Sequence, residues 1–238
     1  MSAPAAPAAG AAAADARRRT AERLVALGAV AVVRLPSERL VLDAVSAVHA
    51  GGVRAVELTL TTPGAFAAIE ALARTMGDEL LVGAGSVLDA DAARRAVDAG
   101  AAYVVSPVFR PAVVDEAHRL GAAAVPGAFT PTELLAAHDA GADLVKLFPA
   151  DSLGPAYVKA VLAPMPFLRL VPTGGVTPDN AGAWLRAGAR AVGLGTALVD
   201  PALVAAGDFA ELSARARRVA AQVAEARGGG PAAGGADA

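Results

Sequence analysis

The chain has 238 residues, 55% of them hydrophobic and 4% aromatic, so one domain with a full core of Ala, Val and Leu is expected. A net charge of −2 offers no basic field to nucleic acid or an anionic membrane, and the lack of cysteine excludes disulfides, thiol catalysis and thiolate metal sites. No apolar stretch approaches the ~20 residues that span a bilayer.

The opening MSAPAAPAAGAAAADARRRT puts its charges, Arg17 to Arg19, after a run of Ala, Pro and Gly, the reverse of a secretory signal. Residues 1–15 are expected as a disordered lead and 16–227 as a single folded domain that begins with an extra helix. The closing GGGPAAGGADA, residues 228–238, has no core-forming residue and is expected as a flexible tail. A cytoplasmic location is the matching expectation. Lysine is scarce: of the 21 Lys and Arg residues, only Lys146 and Lys159 are lysine. Arginine serves wherever charge alone suffices but cannot deprotonate to act as an amine nucleophile. A retained lysine is therefore a candidate for amine chemistry.

Along the chain a phrase recurs: HAGGVRAVELT, DAGAAYVVSP, RLGAAAVPG, DAGADLVKLFPA and RAGARAVGLG. Each is a helix end, a capping glycine (Gly51, Gly100, Gly121, Gly141, Gly188) and a short apolar run. With the gaps filled, eight apolar strands are predicted at 29–34, 54–59, 80–84, 102–106, 122–126, 143–148, 168–172 and 190–194. Helices lie between them. TPGAFAAIEALA, DADAARRAVDAG, TPTELLAAH and TPDNAGAWLRAG each begin with a Thr or Asp suited to a helix N-cap. Near-continuous apolar strands point to a parallel sheet covered on both faces, and eight strand-plus-helix units to a (β/α)8 TIM barrel. The alternative, a doubly wound open sheet, usually carries a Gly-x-Gly-x-x-Gly after its first strand, where this chain has VVRLPSERL.

Barrels place their chemistry at the carboxyl ends of the strands. There the chain offers Arg34 after the first strand, Glu57 and Thr59 on the second, Ser86 after the third, and Ser106 and Pro107 after the fourth. Lys146 and Phe148 lie on one side of the sixth. A lysine inside an apolar strand is either half of a structural pair or a Schiff-base nucleophile. An amine titrates near ~10.4 in water, and desolvation or a nearby cation makes the neutral form accessible. Glu57 is either the partner in that pair or a general acid/base working on carbons beside an imine. Thr59, on the same side, is read as a substrate contact. Two glycine-rich loops, PTGGVTPDN and GLGTA, follow the seventh and eighth strands, where barrels often bind phosphate; Gly174, Gly175, Gly195 and Thr196 are the candidate donors. Arg34 either holds a substrate carboxylate bidentately or forms a rim salt bridge. His49, His118 and His138 fall on predicted helix surfaces, away from the strand ends, so no metal is expected.

GGVRAVELTLTTP, VGAGSVLDA, VVSPVFRP, VPGAFTPTELLAAHDAGADLVKLFPA, LRLVPTGGVTPDN and AVGLGTALV resemble, in order, the motifs of the 2-keto-3-deoxy-6-phosphogluconate aldolases. Their relatives act on 2-keto-3-deoxy-6-phosphogalactonate and 4-hydroxy-2-oxoglutarate. The resemblance spans about residues 20–225. It implies Lys146 as the Schiff-base lysine and Glu57 as the general acid/base, with Ser86 standing where the family usually has Thr. Pro107 and Phe148 would line the pocket, and Gly174, Gly175 and Thr196 would hold the phosphate. It also implies a homotrimer that takes pyruvate and a 2-keto-3-deoxy sugar acid phosphate, without cofactor or metal. One departure is TLTT, with Thr61 where many members have a carboxylate-binding arginine; that task is assigned here to Arg34. Thr173 in PTGG leans toward the gluco substrate, galactonate-type relatives tending to an apolar residue there. The expected function is thus class I cleavage of 2-keto-3-deoxy-6-phosphogluconate. The alternatives are the galacto or hydroxy-oxoglutarate activity and, more distantly, a non-catalytic trimeric phosphosugar-binding scaffold.

Overall fold

The computed structural model describes residues 6–228. In chain order they form α1 (Ala6–Leu27), β1 (Ala29–Val33), α2 (Glu38–Ala50), β2 (Ala55–Thr59), α3 (Ala65–Met76), a 3-10 turn (Gly77–Glu79) and β3 (Leu81–Gly85). There follow α4 (Ala90–Asp98), β4 (Tyr103–Val105), α5 (Pro111–Arg119), β5 (Ala123–Val125), β6 (Gly127–Ala128), α6 (Pro131–Asp139), β7 (Val145–Leu147) and α7 (Gly154–Leu162). The chain continues through β8 (Leu170–Pro172), α8 (Ala181–Arg186), β9 (Val192–Leu194), α9 (Pro201–Ala206) and α10 (Phe209–Gly228). No helix among the described residues is long and apolar enough to cross a membrane.

Each predicted strand is found, but the fifth runs on past its predicted end at 126 and is divided there. Pro126 has no N–H to give a ladder, so it separates β5 from β6. The two halves serve different neighbours: β5 pairs with β4, and β6 pairs with β7. The result is a mixed α/β fold with a curled, six-stranded parallel sheet, β5-β4-β3-β2-β1-β9, and a three-stranded parallel sheet, β6-β7-β8. Where one continuous eight-stranded ring was expected, single contacts join the two sheets. Asp143 N–H, just ahead of β7, donates to Ala124 O of β5 at 3.0 Å, and Thr173 bridges Gly193. The first strand lies between β2 and the last strand, β9.

Burial on both faces explains the composition. Ala31, Val33, Val56, Leu58, Val82, Val104, Val145, Leu170 and Val192 face outward into the layer of helices. Their alternates, Val30, Ala55, Leu81, Tyr103, Val105, Val125, Leu144, Val171 and Ala191, form a second, inner cluster. Ala21 and Leu24 of α1 join that inner cluster. Farther back on α1, Arg17 meets Asp143, just before β7, at 3.3 Å. The helix therefore covers the end of the strands where they begin. Of the predicted disordered lead, residues 1–5 lie outside the described residues and 6–15 are helical; alanine is the strongest helix former and the docked half of α1 continues them. The predicted tail lies outside the described residues except for Gly228, which ends α10.

Several local signals operate as read. Asp89 caps α4 by accepting from Ala92 N–H, and Thr130 with Glu133 forms a capping box on α6. Thr62 does not cap α3, whose N-cap is Gly64; its hydroxyl meets Thr59 instead. In HAGGV it is Gly52, with φ of 95°, that takes the left-handed turn. Gly51 is small for another reason: a Cβ there would strike Ala216 and the Ser213 carbonyl of α10.

Candidate active site

Strand alternation turns Glu57 of β2 and Lys146 of β7 into the same interior, from opposite sides of the strands. Lys146 Nζ lies 3.2 Å and 3.4 Å from the two Glu57 carboxyl oxygens. The lysine is 7% exposed and the glutamate 4%. Lys146 Nζ also sits 5.3 Å from the centroid of the Phe148 ring, two residues on and on the same side. A pair this deep must overcome the desolvation of both charges, so it is poor evidence of a purely structural purpose.

The pair forms the floor of an open cleft of about 500 Å³. Of the predicted site residues, Arg34, Ser86, Pro107, Phe148, Thr173, Gly174, Gly175, Gly195 and Thr196 all line it with Lys146 and Glu57. Thr59 does not. Its hydroxyl donates to Val33 O at 3.3 Å and meets those of Thr61 and Thr62, so it ties β2 to β1 beneath the rim. The expected substrate contact is thus a strand-to-strand link, because the chain turns away after Thr59.

Arg34 is exposed, faces the cleft and makes no ion pair among the described residues. Across from the floor, the loop after β8 turns through Gly174 and Gly175, with φ of 98° and 68°. Asn180 fixes the loop by accepting from Thr177 N–H at 2.8 Å and donating to Gly175 O at 2.9 Å. The loop after β9 closes a single turn, with Leu198 and Val199 N–H donating to Gly195 O. Thr196 therefore lies in a tight turn ahead of α9, instead of at that helix's own start. Among the described residues, no hydrogen bond engages the N–H groups of Gly174, Gly175 or Thr196. These glycine-rich loops thus leave unengaged backbone N–H groups in the cleft lining, which also includes Arg34, an arrangement suited to an anion.

Glycines inside β3 shape the floor. A Cβ on Gly85 would overlap the Glu57 side chain, and one on Gly83 the ring of Tyr103. Likewise a Cβ on Gly193 would overlap Thr173. Sequence reasoning missed these three, as it missed Val32, Val176, Thr177, Ala197, Val199 and Pro201 in the lining. The glycines carried a signal: isolated glycine in an apolar strand marks a close approach. Ser86 has its own: at φ of 60° it is the sole non-glycine in the left-handed region among the described residues, at the rim of the cleft. The histidines stay away from the cleft, but His118 is not simply a surface residue. It lies 3.1 Å from buried Asp143, the residue that also anchors Arg17.

Comparison with known proteins places the chain among the aldolases, which are lyases. The family model described as KDPG and KHG aldolase matches residues 21–215, and the chain belongs to that family. Among its relatives, the protein named "Probable 2-dehydro-3-deoxy-6-phosphogalactonate aldolase" of Rhizobium meliloti is 40% identical over 158 residues, 66% of this chain and 74% of the relative. The 2-dehydro-3-deoxy-phosphogluconate aldolase of Treponema pallidum is 39% identical over 194 residues, 79% of this chain and 91% of that one. The KDPG aldolase of Legionella pneumophila, solved with pyruvate captured as a covalent carbinolamine, matches with a TM-score of 0.78 at 26% identity, over 84% of this chain and 97% of that one.

Proposed function

We propose that the protein is a class I aldolase that cleaves 2-keto-3-deoxy-6-phosphogluconate into pyruvate and glyceraldehyde 3-phosphate. The observation that carries this reading is the amine–carboxylate pair, 3.2 Å apart on the floor of a cleft whose lining includes free backbone donors. Lys146 Nζ attacks the C2 ketone, its proton passing to the carboxylate beside it. Protonated Glu57 returns that proton to the carbinolamine hydroxyl, which leaves as water. The iminium that remains is the electron sink. Glu57 then takes the C4 hydroxyl proton, directly or through a water, and the C3–C4 bonding electrons move into the enamine as the aldehyde departs. Protonation of the enamine at C3 by Glu57 and hydrolysis of the imine release pyruvate. Arg34 holds the carboxylate, the N–H groups of Gly174, Gly175 and Thr196 hold the phosphate, and Ser86, Pro107, Phe148 and Thr173 form the walls. The two anion contacts together set the register of the bond that breaks.

The strands form one closed (β/α)8 barrel in this reading, supported by the Thr173–Gly193 bridge between the two sheets. The working unit is a homotrimer. Leu88, Val108, Phe129 and Leu135 support this, as exposed apolar side chains after β3, β4 and β6 and on α6. Sedimentation at the mass of three 23.4 kDa chains is the expected result.

A second reading, cleavage of the galacto epimer, draws on the name of the Rhizobium meliloti relative. Thr173, polar and facing the cleft, favours the gluco substrate. Borohydride reduction with pyruvate, followed by peptide mass analysis, is the test of the chemistry: an adduct on Lys146 is expected, and its absence sinks the imine mechanism. Parallel turnover of both epimers and of 4-hydroxy-2-oxoglutarate decides the substrate.

A further inference from the structure

Tyr103 is sealed among the strands, 1% exposed, beside a small space that it lines together with Glu57, Lys146 and Thr173. It does not line the cleft itself. Its hydroxyl donates to the carbonyl of Val56 at 2.6 Å. That carbonyl belongs to the peptide bond whose N–H is Glu57's own, so the phenol grips the backbone immediately before the carboxylate. Gly83 is in register with Glu57 on one side and with Tyr103 on the other, and its missing side chain is the space the Tyr103 ring fills. Gly85 leaves the matching gap for Glu57 one step nearer the cleft. The two side chains thus lean on one strand, the phenol below and the carboxylate above.

Resting on the aldolase reading above, we infer that Tyr103 is a positioning residue for Glu57. It fixes the Val56–Glu57 peptide and closes the interior beneath the Glu57–Lys146 pair, holding the carboxylate at the height where it meets the amine and the reacting carbons. Burial, and after it the Glu57 charge, keeps the phenol well above its ordinary range. It therefore stays a neutral hydroxyl that donates to the Val56 carbonyl.

Two partial reactions with pyruvate separate the roles of the two residues Tyr103 sits beneath. Imine formation, read as the extent of borohydride trapping once pyruvate and protein have equilibrated, depends on Lys146, because an acid/base group such as Glu57 speeds the approach to that extent without changing it. Exchange of pyruvate methyl protons in D2O depends on Glu57: the iminium loses a methyl proton to the carboxylate, forming the enamine. It then regains a deuteron from the same carboxyl after that group has exchanged with solvent. Tyr103→Phe keeps the ring over Gly83 and removes only the hydroxyl.

The variant is expected to trap pyruvate within about two-fold of wild type while methyl exchange and kcat fall about ten-fold and KM stays within about two-fold, the scale set by a slightly misplaced catalytic group. The double variant Tyr103→Phe/Glu57→Gln is expected to exchange no more slowly than Glu57→Gln alone, because the phenol acts through that carboxylate. Normal exchange in a variant that traps normally overturns the inference. So does a fall in trapping equal to the fall in exchange, which marks general damage to the site. A wild-type protein that traps no pyruvate overturns the aldolase reading itself, a failure distinct from either.

Discussion

Lys146 and Glu57 are each more than nine-tenths buried, so removing one strands the other's charge. Lys146→Ala is expected to abolish turnover and to destabilise the fold by about 3 kcal/mol, the low end for a broken buried pair because the cleft still admits water. Urea unfolding beside an activity assay measures both. Replacing the two together, Lys146→Met with Glu57→Leu, is expected to recover most of the stability and none of the activity, which separates a pair kept for chemistry from one kept for folding. Gly175 carries a prediction about the glycine-rich loop after β8. Its φ is 68°, and an added Cβ would lie 2.7 Å from Asp151 Cβ. Gly175→Ala is expected to raise KM for a phosphorylated substrate about ten-fold, the worth of a charge-assisted hydrogen bond. KM for unphosphorylated 4-hydroxy-2-oxoglutarate is expected to stay unchanged. An equal rise for both would remove the loop from phosphate binding.

At the scale of elements, the helix starts are where local sequence acts most directly. The Glu133 carboxylate accepts from the N–H groups of Phe129 and Thr130 and from the Thr130 hydroxyl, and these bonds, the Thr130 N–H first, lower its pKa. A carboxyl lowered by folding contributes fully above its ordinary ~4.3 and loses its contribution as pH falls through the lower folded value. Thr130→Ala is expected to cost about 1 kcal/mol at pH 7. The loss on replacing Glu133 with Gln is expected to shrink as melts are repeated at progressively lower pH; a loss independent of pH would separate the cap from that charge. These caps were legible because every participant lies within a few residues. The division of the fifth strand was less so: Pro126 was visible, but which neighbour each half pairs with depends on the stagger of strands far away in sequence.

For the whole molecule, α1 is the piece whose purpose emerges only on assembly. Leu24 is 3% exposed and packs with the inner ends of strands drawn from the entire chain. Leu24→Ala is expected to destabilise the protein by about 3 kcal/mol, within the range for a buried leucine truncated to alanine. The lowered melting temperature checks it, and an unshifted one would mean that the helix only rests on the surface.

Period-two alternation, glycine after each helix and cap residues before the next are local rules, and they determined the strands, the helices and the parallel class. The sequence also singled out Lys146, since an uncompensated cation in an apolar strand is costly wherever the strand ends up. What it left open were choices between distant partners. Whether Lys146 met Glu57, 89 residues away, depended on where β2 and β7 came to stand around the interior. Thr59 had the right alternation for the cleft and lost it to the Val33 carbonyl. Gly83, Gly85 and Gly193 acquired their meaning from the Tyr103, Glu57 and Thr173 side chains that fill their gaps. Side-chain period is a property of one strand and is written in its residues; the height and neighbour of a strand come from packing every other strand and helix at once, and only the tertiary structure decides them.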